Sequence, residues 1–207
     1  MNTNREKASY CIGLETGKQL RNQFKEMDIQ FLVDGLRDGF SASQPKLSQE
    51  EMTTILNALR QQIETQQKQF VAQLAADNKK KGEEFLSKNQ KVEGVQTLPS
   101  GLQYKVLTEG SGPTPTLLDM VTVHYRGYFI DGTEFESTYT RGKPTAFPVN
   151  QVIPGWTETL QKMKVGGKWR IFIPSYLAYG EMGYGRDIEP NTTLIFDMEL
   201  LSIGGET

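Results

Sequence analysis

The chain is predicted to be an α+β protein. An all-helical N-terminal segment leads into one long helix, and a C-terminal antiparallel sheet wraps around a short helix. Three observations predict this. From Ser48 to Gly82 no proline or glycine interrupts the chain, as an unbroken helix requires. After Gly94 the apolar residues change from helical spacing to alternation, the period of a half-buried strand. Inside the alternating region stands one helix start, Pro154, with Trp156, Leu160 and Met163 following at i, i+4 and i+7.

The elements follow in order. Residues 8–24 form a first helix, with apolar surface from Tyr10, Ile12, Leu14, Leu20 and Phe24. Residues 29–40 form a second, with Ile29, Phe31, Leu32, Val33, Leu36 and Phe40. Both carry glycines four apart, Gly13 with Gly17 and Gly35 with Gly39, a spacing that lets another helix approach closely. Two helices this apolar cannot bury both faces against each other, and so short a segment is marginal as an independent core. Residues 1–45 are therefore expected to form a homodimer, with packing onto the rest of the same chain as the alternative.

Residues 46–93 read as a stalk. Ser48 with Glu51 three residues later is a capping box, and Leu47 with Met52 supplies a hydrophobic staple. An apolar stripe of Met52, Ile55, Leu56, Leu59 and Ile63 gives way to a middle rich in Gln, Glu, Lys and Thr. A helix polar nearly all round bridges solvent, and about 40 residues rise about 60 Å. The Gln-rich middle breaks any coiled-coil seam, and the charged run at 77–81 reads as a solvated face.

Residues 94–207 read as a sheet domain. Leu102, Tyr104 and Val106 alternate with polar neighbours, as do Val121, Val123 and Tyr125. Asp131-Gly132 is a hairpin turn signal between two apolar flanks. Trp169, Ile171 and Ile173 make a further strand, and Leu194, Phe196, Met198 and Leu200 the last. Five or six strands with one short helix indicate antiparallel α+β architecture. At the helix start, Pro154 occupies a position where its missing N–H costs nothing, and Trp156 points inward with a wide apolar surface.

Composition excludes several classes of function. The 207 residues carry a net charge of −2 and no basic stripe interleaved with aromatics, so nucleic acid is not an expected partner. There is one cysteine, Cys11, and one histidine, His124. That excludes a disulfide framework and a Cys/His zinc site, leaves little room for a Ser-His-Asp or Cys-His engine, and gives no reason to expect a cofactor. No run of about 18 apolar residues exists to span a membrane. The N-terminus lacks the apolar region of a signal peptide. As the chain stands the cytoplasm is expected, with the periplasm or cell surface as the alternative if a signal was removed before Met1.

Five pieces occur in a fixed order between residues 100 and 203: Val121-Thr-Val-His-Tyr-Arg-Gly127, Asp131-Gly-Thr-Glu-Phe-Glu-Ser137, Val152-Ile-Pro-Gly-Trp156, Leu177-Ala-Tyr-Gly180 and Thr193-Leu-Ile-Phe-Asp-Met-Glu-Leu200. In these the chain resembles the FKBP-type peptidyl-prolyl cis-trans isomerases. Lys81-Gly-Glu-Glu-Phe-Leu86 and Leu98-Pro-Ser-Gly-Leu-Gln-Tyr104 look like the dimeric, stalked bacterial subfamily of macrophage infectivity potentiators. The resemblance implies a pocket of Tyr125, Phe135, Phe147, Val152, Ile153, Trp156, Tyr179, Ile188 and Phe196. Trp156 would be its floor, and the Tyr179 hydroxyl and Ile153 N–H its donors to substrate carbonyls. The family's usual aspartate is Glu136 here, with Arg141 as its expected ion partner, and Tyr184 sits where family members vary. The resemblance also implies isomerisation of X-Pro bonds during folding, chaperone-like capture of proline-containing unfolded chains by the dimer, and inhibition by the macrolides tacrolimus and rapamycin. A non-catalytic proline-peptide binding or docking module stays open as the alternative. The residues themselves agree with the isomerase reading, because rotating an amide needs neither nucleophile nor metal.

Overall fold

The computed structural model describes residues 1–24 and 26–204. It contains two compact units, Met1–Gln62 and Ile63–Thr207.

The first unit holds α1 (Asn4–Gln23), α2 (Ile29–Phe40) and the beginning of α3 (Gln49–Asn89). Helix α1 begins four residues before the apolar pattern does, because Thr3 and Glu6 close a reciprocal capping box ahead of it. Asp28 caps α2 by accepting from the Gln30 and Phe31 N–H groups. The expected box opens α3: Glu51 N–H donates to Ser48 Oγ at 3.2 Å, and Ser48 N–H to Glu51 Oε2 at 2.8 Å. Neither α1 nor α2 buries a single residue within the chain.

The second unit is built on a seven-stranded antiparallel sheet. Its strands are β1 (Val95–Thr97), β2 (Gln103–Thr108), β3 (Met120–Phe129), β4 (Glu134–Ser137), β5 (Thr145–Pro148), β6 (Lys168–Ile173) and β7 (Leu194–Ile203). They run in the order β1-β2-β6-β7-β3-β4. The sequence pattern misses β1 and β5, which are three and four residues long, too short to show alternation. Strands β5 and β4 share one edge of β3, pairing with Met120 to Val123 and with Arg126 to Tyr128 respectively. The Asp131-Gly132 turn closes the β3–β4 hairpin, with Gly132 at φ +88° and Thr133 N–H donating to Asp131 Oδ1 at 2.9 Å.

One face of the sheet carries the core. Val121, Val123 and Tyr125 of β3, Trp169, Ile171 and Ile173 of β6, and Leu194, Phe196, Met198 and Leu200 of β7 all point to it, as period two requires. Against them packs α4 (Pro154–Leu160), and Trp156, Leu160 and the following Met163 are all buried there. The predicted helical face is therefore the one that meets the sheet.

The last part of α3 is not solvated all round. Gly82 is buried, and a Cβ built on it would lie 2.2 Å from Thr193 Oγ1. Phe85 meets Phe172 with ring centroids 6.0 Å apart. Asn89 Nδ2 donates to Gln103 Oε1 at 2.8 Å, and Gln103 Nε2 to the Leu86 carbonyl at 2.9 Å. The polar residues that look like a wet face in sequence here satisfy one another across a packed contact.

Candidate functional site

Helix α4 presents Trp156 to the sheet at 5% exposure. Three rings meet the indole edge-on: Tyr125 at 4.8 Å and 81°, Phe196 at 5.2 Å and 85°, and Phe147 at 5.7 Å and 86°. Phe135 continues the wall, edge-on to Phe196 at 5.7 Å and 83°. T-shaped contacts of this kind set the positive ring edge against the negative face. They fix each ring by its neighbours in one aromatic cluster, the bowl proposed below.

The remaining expected residues gather around the same core. Ile188 is a buried member of it, and Val152, Ile153, Phe135, Phe147 and Tyr179 are half-buried against it. Ile153 precedes α4, and its carbonyl accepts from Trp156 and Thr157. Its own N–H has no acceptor among the described residues, nor does the Tyr179 hydroxyl. Burial first, then the nearby Glu136 carboxylate, raises the Tyr179 pKa. The phenol is therefore a neutral donor at physiological pH.

Glu136 stands at the polar corner. Arg141 Nη1 donates to Glu136 Oε1 at 2.7 Å, and Arg141 Nη2 to the Tyr125 hydroxyl at 3.1 Å. The Glu136–Arg141 pair is half-exposed, so its worth as an ion pair is small. Its geometric effect is larger, because the guanidinium ties β4 to the Tyr125 ring that faces Trp156. Burial pushes the Tyr125 phenol up to about 12, with Glu136 raising and Arg141 lowering it. An unfolded tyrosine ionises near 10. Between about pH 10 and 12 the unfolded chain loses a proton that the folded chain keeps, so stability falls as pH rises through that window. The urea midpoint is expected to drop between pH 9 and pH 11, and Tyr125→Phe to remove part of the drop. An equal drop in that variant would assign the effect to other groups.

Sequence reasoning misses three supports of the site. Thr138 is fully buried. Its Oγ1 accepts from the Tyr125 N–H at 2.8 Å and lies 2.9 Å from His124 Nδ1. A threonine just past a short strand gives no sequence signal of that role. Gly127 lies beneath two walls: a Cβ there would stand 2.6 Å from Phe135 Cζ and 2.9 Å from Phe196 Cε1. Gly127→Ala is expected to displace both rings and to destabilise by about 1–3 kcal/mol, measured by denaturant unfolding; an unshifted midpoint would mean the rings yield freely. Tyr184, at the position flagged as variable, stacks on Tyr179 at 4.9 Å and 27°.

Residues 112–201 match the family model described as FKBP-type peptidyl-prolyl cis-trans isomerase. Residues 5–106 match the one described as the domain amino terminal to FKBP-type peptidyl-prolyl isomerase. The chain is 43% identical over 203 residues to the outer membrane protein MIP of Legionella longbeachae, covering 98% of this chain and 87% of that protein. It is 42% identical over 197 residues to the FKBP-type 22 kDa peptidyl-prolyl cis-trans isomerase of Escherichia coli strain K12, covering 95% and 94%. Its fold is similar to the crystal structure of FkpA from Escherichia coli, with a TM-score of 0.81 at 38% identity over 99% of this chain and 98% of that one.

Proposed function

We propose, for a chain that belongs to the FKBP-type peptidyl-prolyl cis-trans isomerase family, that X-Pro bonds rotate in the aromatic bowl over Trp156. The observation that carries this is the indole held edge-on by three rings, and Tyr179 Oη–H and Ile153 N–H, packed against the same core, have no acceptor among the described residues. The barrier to rotation is about 18–20 kcal/mol, because the transition state loses amide resonance. A twisted amide has a less polar carbonyl than a planar one. An apolar, water-poor bowl therefore binds the transition state better than the ground state, which is what acceleration requires. The two donors hold flanking carbonyls without stabilising the planar amide itself. Tyr125, Phe135, Phe147, Phe196, Val152 and Ile188 form the walls, and Glu136 acts through Arg141 on Tyr125.

The test is the cis-to-trans rate of an X-Pro peptide with full-length protein. Acceleration by the wild-type chain is expected, with Tyr179→Phe lowering kcat/KM several-fold, on the order of one lost hydrogen bond of about 0.5–1.5 kcal/mol. A Tyr179→Phe rate equal to wild type would remove that hydroxyl from the reaction. Tacrolimus and rapamycin are expected to compete for the bowl.

The division of labour follows the segments: residues 1–45 for dimerisation, 46–93 as the connecting helix, and 94–207 for catalysis. The exposed apolar residues of α1 and α2 support the first assignment. A dimer with two bowls gives a long unfolded substrate a second attachment at high effective concentration, the basis for chaperone-like capture. For the compartment, the name of the Legionella longbeachae relative favours the envelope over the cytoplasm first expected. Among the described residues no helix is long and apolar enough to cross a membrane. Cell fractionation decides between the two compartments.

A further inference from the structure

We propose that α3 positions the active-site segment, with Asn78 and Asn191 as the positioning residues. This rests on the bowl being the isomerisation site. The segment in question runs from Tyr179 to Thr193 and carries both the Tyr179 donor and the Ile188 wall.

That segment orders only part of itself: Tyr184 and Ile188 exchange backbone hydrogen bonds at 2.8 and 3.1 Å, and Tyr184 stacks on Tyr179. Gly180, Gly183 and Gly185 all have positive φ, at +59°, +63° and +61°. Such glycines leave the chain many alternatives to lose on ordering. Packing does not compensate along the side facing α3, where a cavity of about 570 Å³ lies open, lined by Asn78, Lys81, Arg186, Asp187, Glu189 and Thr193. Hydrogen bonds from the helix span this gap. Asn78 Nδ2 donates to Glu189 Oε2 at 3.0 Å and to the Pro190 carbonyl at 3.1 Å, one and two residues past Ile188. Asn191 Nδ2 donates to the Ala75 carbonyl of α3 at 3.3 Å. The backbone N–H of Asn191 donates to the carbonyl of Gly180, the residue after Tyr179, at 2.8 Å. Asn191 thus links the helix directly to the catalytic loop. It does so at φ +55°, a left-handed conformation that asparagine tolerates better than most residues. One turn along α3, Gly82 lets the helix sit hard against Thr193. The helix therefore grips the segment at 189–193, and Asn191 passes that grip to Tyr179.

Loosening the grip lowers the fraction of molecules in which the loop is placed to bind. Apparent affinity falls by that fraction while the chemistry of the bowl stays the same. The signature is a rise in KM with kcat held.

Three full-length variants test this. Asn191→Gly keeps the backbone bond to Gly180 and suits the positive φ; it removes the bond to Ala75 and adds backbone freedom at 191, so it is paired with a variant that leaves the backbone as it is. Asn78→Asp keeps the size of the side chain but replaces the donor with a carboxylate facing Glu189. Asn78→Ala removes the side chain. In each, KM for an X-Pro peptide is expected to rise about fivefold, corresponding to a fivefold loss of the competent fraction, with kcat within error of wild type. Amide exchange at Asn191 is expected to accelerate, while the amides of β3 and β7 keep their protection. Unchanged KM in both Asn191→Gly and Asn78→Asp overturns the proposal, as does a fall confined to kcat. A wild-type chain that does not accelerate the peptide refutes the bowl itself, a different failure.

Discussion

Trp156→Ala is expected to remove turnover and to lower folding stability by about 3–5 kcal/mol, the range for emptying a buried tryptophan site. The size of the effect follows from the contacts. Three edge-on ring pairs end at the indole, each worth about 0.5–1.5 kcal/mol beyond its buried area. Removing the ring leaves Tyr125, Phe147 and Phe196 facing a void that they cannot all fill. The indole Nε1 is buried with no hydrogen-bond partner among the described residues, so no bond within the chain is lost and the cost is chiefly one of packing. Trp156→Phe separates the two consequences, because a smaller ring retains part of the packing while the floor of the bowl retreats. It is expected to fold with an intermediate urea midpoint and to lose most of kcat/KM. A Trp156→Ala chain with an unshifted midpoint would mean that the bowl does not rest on the indole.

Full-length protein is expected to scatter light at twice the chain mass of 23.3 kDa, and a Phe31→Glu, Leu36→Glu variant at the single mass. Phe31 is 73% exposed and Phe40 93% exposed within one chain. Fully burying such a side chain contributes about 1.5–3 kcal/mol, so a few of them meeting a second copy hold a dimer at micromolar concentration. The glycines give a cleaner probe. A Cβ at Gly13 or Gly17 meets nothing within 4 Å among the described residues. Any loss of assembly in Gly13→Leu then arises from a partner. Short-peptide turnover is expected to survive in both variants, and suppression of aggregation by a denatured protein to fail. Wild-type protein at the single mass would sink the assignment of residues 1–45.

Much of this was legible in the residues. The caps at Ser48 and Glu51, the turn at Asp131-Gly132 and the face of Trp156, Leu160 and Met163 are local signals, and local physics decides them. Tyr125, Phe135, Trp156, Tyr179 and Phe196 lie in the five short pieces spread over residues 100–203 and Phe147 lies outside them, so it is the resemblance those pieces carry that assembles the aromatic walls. Their mutual edge-on geometry was not visible, since ring orientation depends on neighbours distant in sequence. The docking of α3 was hidden for a related reason. Asn78, Gly82 and Asn89 on a charged helix look solvated until Glu189, Thr193 and Gln103 arrive beside them. Thr138 and Gly127 act through one close contact each, which has no period to detect.

The placement of the two tryptophans governs what light can report about this molecule. Trp156 and Trp169 both belong to the unit from Ile63 onward, and the unit ending at Gln62 has none. Trp169 is stacked on Tyr104 at 4.4 Å, and Trp156 is enclosed by three rings. Intrinsic indole emission therefore follows the isomerase unit alone and responds to anything that enters the bowl. Melting of α1 and α2, or parting of two copies through them, is expected to leave that emission unchanged. A fluorescence melt and a helical circular dichroism melt are consequently two different experiments on this chain. The temperature gap between them measures how independently the two units unfold.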